Sequence, residues 1–157
     1  MTASPAGGTR AFGDIRAGDE LPPSVIDVTA TRIVAGAIAS RDFMPVHHDR
    51  AYANAQGAPD IFMNILSDTG YCSRFLTDWA GPEAMIRRLA IKLGVPLFPD
   101  TALTYSGTVT SIREEDGEGM VEVELRASTG LGDHVTGVAT LSLPLSGPSP
   151  SPPTTKD

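Results

Sequence analysis

Residues 60–82 read DIFMNILSDTGYCSRFLTDWAGP. Apolar side chains recur at Ile61, Phe62, Ile65, Leu66, Cys72, Phe75, Leu76 and Trp79, a wide stripe at helical spacing. The pattern predicts one long, largely buried helix, with Asp60 as its N-cap and Gly81-Pro82 as its stop signal. Gly70 costs such a helix about 1 kcal/mol relative to Ala, so it is expected to permit a close approach by another element.

Beyond residue 84 the apolar period changes to two. Leu89, Ile91 and Leu93 alternate with Arg88, Ala90 and Lys92. Leu103, Tyr105, Gly107 and Val109 share a face, as do Val121, Val123 and Leu125, and then Val135, Gly137, Ala139, Leu141 and Leu143. REEDGEG and STGLGD separate the last three runs as hairpin turns. Before the helix lie an extended segment, SVIDVTATR, and two short helical stretches, IVAGAIAS capped by Thr31 and DRAYANAQ. One strand, helical segments, a long apolar helix and four strands joined by short turns predict an α+β fold. A sheet with one apolar face must cover it, and the long helix is the element available. Periodicity thus supports a helix on an antiparallel sheet.

The 157 residues suit one domain. Residues 1–10 read as a flexible leader, 11–145 as the folded domain and 146–157, SGPSPSPPTTKD, as a disordered Pro/Ser-rich tail. The lone cysteine, Cys72, cannot form an intrachain disulfide. The opening MTASPAGGTR has no apolar core of a signal peptide, and no run approaches the ~20 apolar residues of a membrane span. A cytoplasmic location is expected. A net charge of -7 argues against nucleic acid. It leaves room for a ligand that needs only a few local cations, which Arg87, Arg88 and Lys92 can supply; the same three also read as a solvated strand face.

The densest polar cluster is Arg41-Asp42-Phe43-Met44-Pro45-Val46-His47-His48-Asp49. Pro45 keeps it from closing into a helix, and Asp42 and His47 can face one cavity across the turn. Water addition to a conjugated thioester needs a group to take a proton from water and a route to return one to the α carbon. An imidazole beside a carboxylate suits both. The thioester oxygen gains charge and needs a donor, for which the N–H groups near Met63 and Asn64 are candidates. No H-x-x-x-H spacing supports a metal site. Asp68 on the long helix is the residue on which a thioesterase reading rests. His48 reads as a surface or supporting residue and His134 as structural.

RDFMPVHHDRAYA resembles the motif G-D-x-N-P-L-H-x-D-x-x-x-A of MaoC-like (R)-specific enoyl-CoA hydratases, and FGDIRAGDELPP resembles the opening of that family. RDF, VHHDR, AQG, DIFMNILSDTG, TDWAGP, LGVP and LGDHVT resemble its branch of small subunits of bacterial steroid (cholesterol) side-chain hydratases. The resemblance covers about residues 20–145. It implies a hot-dog fold, a 2-enoyl-CoA substrate with a steroid side chain, no cofactor, and a second hot-dog subunit completing a heterodimer or heterotetramer. It places Asp42 and His47 on the catalytic pair. The motif Gly and Asn are here Arg41 and Met44, and Met63-Asn64 align where relatives carry His-Gly at the start of the helix. An incomplete pocket finished by a partner is therefore expected. The alternatives are a non-catalytic subunit completing a partner's pocket, and an acyl-CoA thioesterase using Asp68.

Overall fold

Alternating apolar residues place one side of each strand against the long helix, and a computed structural model describing residues 8–145 has this architecture. The elements run β1 (Glu20–Val28), α1 (Ala30–Ala39), α2 (Arg50–Ala55), α3 (Ile65–Ala80), β2 (Met85–Leu93), β3 (Thr101–Glu115), β4 (Glu118–Thr129) and β5 (Gly132–Pro144). The five strands form one antiparallel sheet in the order β1-β3-β4-β5-β2, so β1 and β2 are its edges. The expected leader and tail lie, for residues 1–7 and 146–157, outside the described residues. Residues 8–10 are held against the end of α3: Thr9 is buried, the Arg10 N–H donates to Ala80 O, and the Arg10 guanidinium lies over Trp79.

The core is the pairing predicted by periodicity. Cys72, Phe75, Leu76 and Trp79 of α3 pack with Leu103, Tyr105 and Val109 of β3, Val121, Val123 and Leu125 of β4, and Val135, Ala139, Leu141 and Leu143 of β5. The Phe75 and Tyr105 rings meet at 5.6 Å between centroids. The β3–β4 hairpin closes at Asp116-Gly117, both with positive φ, as a two-residue turn matched to strand twist demands.

Several local expectations are corrected. The long helix starts at Ile65, capped by Asn64 rather than Asp60. Asp60 instead pairs with Arg50. Ile61 and Met63 still reach the core from the non-helical segment ahead of it, whereas Ile65 and Leu66 are exposed. The first short helix is capped by Thr29, not Thr31. Gly70 faces open space; the close approach is at Gly36 of α1, where an added Cβ would overlap Ser67 Oγ of α3. This contact seats the segment between β1 and α3 on the first turn of the long helix.

Candidate active site

Asp42 follows the end of α1, held by a backbone bond from its N–H to Ala37 O, 2.9 Å. The residue before it, Arg41, has φ 57. The motif that this segment resembles carries Gly at that place, and L side chains are strained in this region. A 3-10 turn, Pro45–His47, then brings His47 back toward Asp42. Pro45 fits its first position, where no N–H is required.

His47 is buried, and its Nδ1 lies 2.7 Å from the carbonyl oxygen of Phe62. A carbonyl can only accept, so Nδ1 carries the proton. Nε2 then faces Asp42 Oδ2 at 3.4 Å. The Phe62 ring also meets His47 edge-on, at 5.1 Å between centroids. His48 and Asp49 turn elsewhere: His48 Nε2 contacts Phe43 O, and the Asp49 carboxylate caps α2 at Tyr52 N.

Both oxygens of Asp42 are occupied. The Met44 N–H donates to Oδ1 at 3.3 Å, and Asn64 Nδ2 donates to Oδ2 at 2.9 Å. The Asn64 hydrogen bond, then the Met44 N–H and the His47 charge, hold the Asp42 carboxyl below the usual carboxylate range; its partial desolvation works against them. Asp42 is therefore ionised at neutral pH.

Of the two residues expected to supply an oxyanion donor, Met63 does not qualify. Its N–H is taken by Leu97 O at 3.0 Å. The N–H groups of Asn64, Ile65 and Leu66 have no acceptor among the described residues, as expected at a helix start. The expected cation cluster also divides. Arg87 forks onto Glu118 and donates to Ser142 Oγ, while Arg88 and Lys92 have no ion pair among the described residues.

Asp68 is fully buried and 3.0 Å from His134 Nε2, while His134 Nδ1 contacts Val95 O at 2.6 Å. Burial lowers the basicity of His134, but the Asp68 hydrogen bond and charge and the Val95 carbonyl outweigh it and push the group up. A carboxylate buried and paired in this way is not presented to a thioester carbonyl, which counts against the thioesterase reading. Burial also pushes the Cys72 thiol up to about 12, which disfavours the thiolate that a nucleophile needs. Among the described residues no group of three His, Cys, Asp or Glu side chains converges to hold a metal.

No protein-family model matches the chain. Over 126 residues it is 45% identical to the 3-oxo-4,17-pregnadiene-20-carboxyl-CoA hydratase beta subunit of Mycobacterium tuberculosis, covering 80% of this chain and 95% of that protein. The chain belongs to the MaoC-like enoyl-CoA hydratase family. Among solved structures it superposes on a chain of the ChsH1-ChsH2 complex from M. tuberculosis, with TM-score 0.76 and 45% identity over 82% of this chain and 98% of that one. It also superposes on the (R)-hydratase from A. caviae involved in PHA biosynthesis, with TM-score 0.75 and 23% identity over 83% and 98%. At that identity the likeness carries the fold, which is the hot dog.

Within this MaoC-like chain, sequence reasoning missed the side-chain role of Asn64, the carbonyl of Phe62, and Ser40 and Ser67, which complete the hydrogen bonds of Asn64. The available signal was the family alignment at the helix start, which drew attention to Asn64 for its backbone alone.

Proposed function

We propose that this chain is the catalytic half of a heteromeric 2-enoyl-CoA hydratase. It adds water across the 2,3 double bond of a steroid side-chain CoA ester and yields the 3-hydroxyacyl-CoA. The observation that carries the reading is Asp42 Oδ2 facing His47 Nε2 at 3.4 Å, with Nδ1 turned to Phe62 O. That gap is too long for a direct hydrogen bond. With His47 neutral, one water lying beside both groups, about 2.8 Å from each, would give a hydrogen to each acceptor and keep its lone pairs for the β carbon.

In the proposed step, Nε2 takes a proton from this water and the hydroxyl bonds to the β carbon. The double-bond electrons move onto the thioester as an enolate. The Nε2 proton then returns to the α carbon, so one water is added with no change of redox state and no cofactor is required. Asp42 stays charged, orients the water and steadies the imidazolium. The enolate oxygen would be met by the N–H groups of Asn64, Ile65 or Leu66, helped by the partial positive charge of the α3 N-terminus.

The steroid assignment follows the relative whose name gives a pregnadiene carboxyl-CoA, and the heteromer follows the ChsH1-ChsH2 complex. Ile38, Phe43, Met44, Ile65 and Leu66, which flank the bonded residues of the site, are exposed on this chain alone. Apolar surface of this kind needs a partner or an apolar ligand to cover it. Arg88 and Lys92 are the proposed contacts for CoA phosphates, with Arg87 already engaged. The proposed location is the cytoplasm, where CoA esters occur and a lone thiol stays reduced.

The test is loss of enoyl-thioester absorbance with the chain and its hot-dog partner purified together, comparing wild type with Asp42→Asn. A collapse of about 10²- to 10⁴-fold in a folded complex supports the reading. Unchanged hydration moves the active site to the partner.

A further inference from the structure

Asn64 is 2% exposed and uses every hydrogen-bonding valence of its side-chain amide. Oδ1 accepts from the Ser67 N–H at 3.1 Å and from Ser67 Oγ at 2.5 Å. Nδ2 donates to Ser40 Oγ and to Asp42 Oδ2, both at 2.9 Å. The orientation of the amide is thereby settled. If it were flipped, an NH2 would face the Ser67 N–H and a carbonyl oxygen would face the Asp42 carboxylate. Ser40 is tied in turn to the last turn of α1 through Gly36 O and Ala37 O. One amide thus joins the end of α1, the start of α3 and the carboxylate between them.

We propose that Asn64 is a positioning residue for the hydration, holding Asp42 in one rotamer with Oδ2 turned toward His47. Met44 N–H fixes the other oxygen, and its side chain is exposed and adds nothing to the clamp. The proposal deepens the hydratase reading above and rests on it. Capping alone does not account for Asn64, because a helix cap uses only Oδ1. The two Nδ2 bonds are surplus to the cap: one goes to Asp42 and the other to Ser40 at the end of α1.

Among the described residues, one ionisable group acts on Asp42 through its charge: His47, from the 3-10 turn. α1 brings neutral Ser40, and α3 brings neutral Asn64 and Ser67. Asp68, one turn further along α3, is bound to His134, and His48 is bound to Phe43 O.

The experiment compares wild type, Asn64→Ser, Asn64→Asp and Asp42→Asn in the complete complex. Ser and Asp both cap helices about as well as Asn, so the helix start is preserved. Ser is too short to reach Asp42, and Asp replaces the donor with a second negative charge. The expected result is a fall in kcat of about 10- to 100-fold, the scale of one hydrogen bond to a charged group, with KM within about twofold. Carbon-13 detection of labelled Asp carboxyls, with Asp42 assigned from Asp42→Asn, should show its titration moved upward in Asn64→Ser and further in Asn64→Asp. In the wild type, the Asn64 amide protons should follow the same titration. Folded variants with unchanged kcat and an unmoved Asp42, or Asn64 protons blind to that titration, overturn the proposal. If instead Asp42→Asn hydrates normally, the hydratase reading fails, while the carboxyl titrations still decide whether Asn64 orients Asp42.

Discussion

His47 Nδ1 lies 2.7 Å from Phe62 O, and this bond decides which nitrogen of the ring is available for chemistry. Phe62 lies in the segment just ahead of α3, so the approach to the long helix sets the tautomer of a residue fifteen positions earlier. His47→Asn can keep a donor near Phe62 O while removing the base. The expected outcome is a loss of about 10²- to 10⁴-fold in kcat/KM with the complex still assembled, checked by steady-state hydration and size-exclusion chromatography.

Arg41 occupies the left-handed region that the family motif gives to Gly. Arg41→Gly relieves this strain at the cost of a looser unfolded chain, so stability should change by no more than about 1 kcal/mol with activity retained. Arg41→Val, β-branched at a positive φ, should lose about 1–3 kcal/mol and displace Asp42. Urea unfolding and hydration rates of the two variants test both statements.

Gly36 is where α1 meets α3. A methyl group there would press on Ser67 Oγ, which is bonded to Asn64. Gly36→Ala should therefore destabilise by about 1–3 kcal/mol through overpacking, despite the better helix propensity of Ala. Its kcat should fall as Ser67 is pushed from Asn64. A rise in melting temperature with unchanged kcat would show that the two helices simply move apart.

The Asp68–His134 pair ties the first turn of α3 to the start of β5, far from the sequence motif. Because folding raises the His134 pKa, its contribution is fully present below the unfolded value of about 6.5 and is lost as pH rises through the folded value. Melting temperature should thus decline on the alkaline side of neutrality more steeply in wild type than in His134→Gln. Removing one partner of a buried pair costs about 3–5 kcal/mol, so Asp68→Ala should be among the most damaging single changes. Differential scanning calorimetry across pH 6–9 would check the slope and the ranking.

Much of this protein was legible in the order of its residues. A period of two in the last four strands, the Asp116-Gly117 turn and the apolar stripe Cys72, Phe75, Leu76 and Trp79 are local patterns, and each implies its own burial. Asp42 and His47 lie five residues apart across a proline, so their pairing was also close to a local property. Other features needed chain folding over long separations. Asn64 reaches Asp42 from 22 positions away and Asp68 meets His134 from 66, and neither contact leaves a periodic trace. The helix is capped at Asn64 rather than Asp60: the Asn64 side chain takes the Ser67 N–H, while Met63 N–H pairs with Leu97 O, 34 positions along the chain. Periodicity reports which face of an element is apolar; it does not report which buried polar groups will find each other. Those pairings are settled only when the elements dock, since a buried donor or acceptor must be satisfied by whatever partner the packing brings within reach.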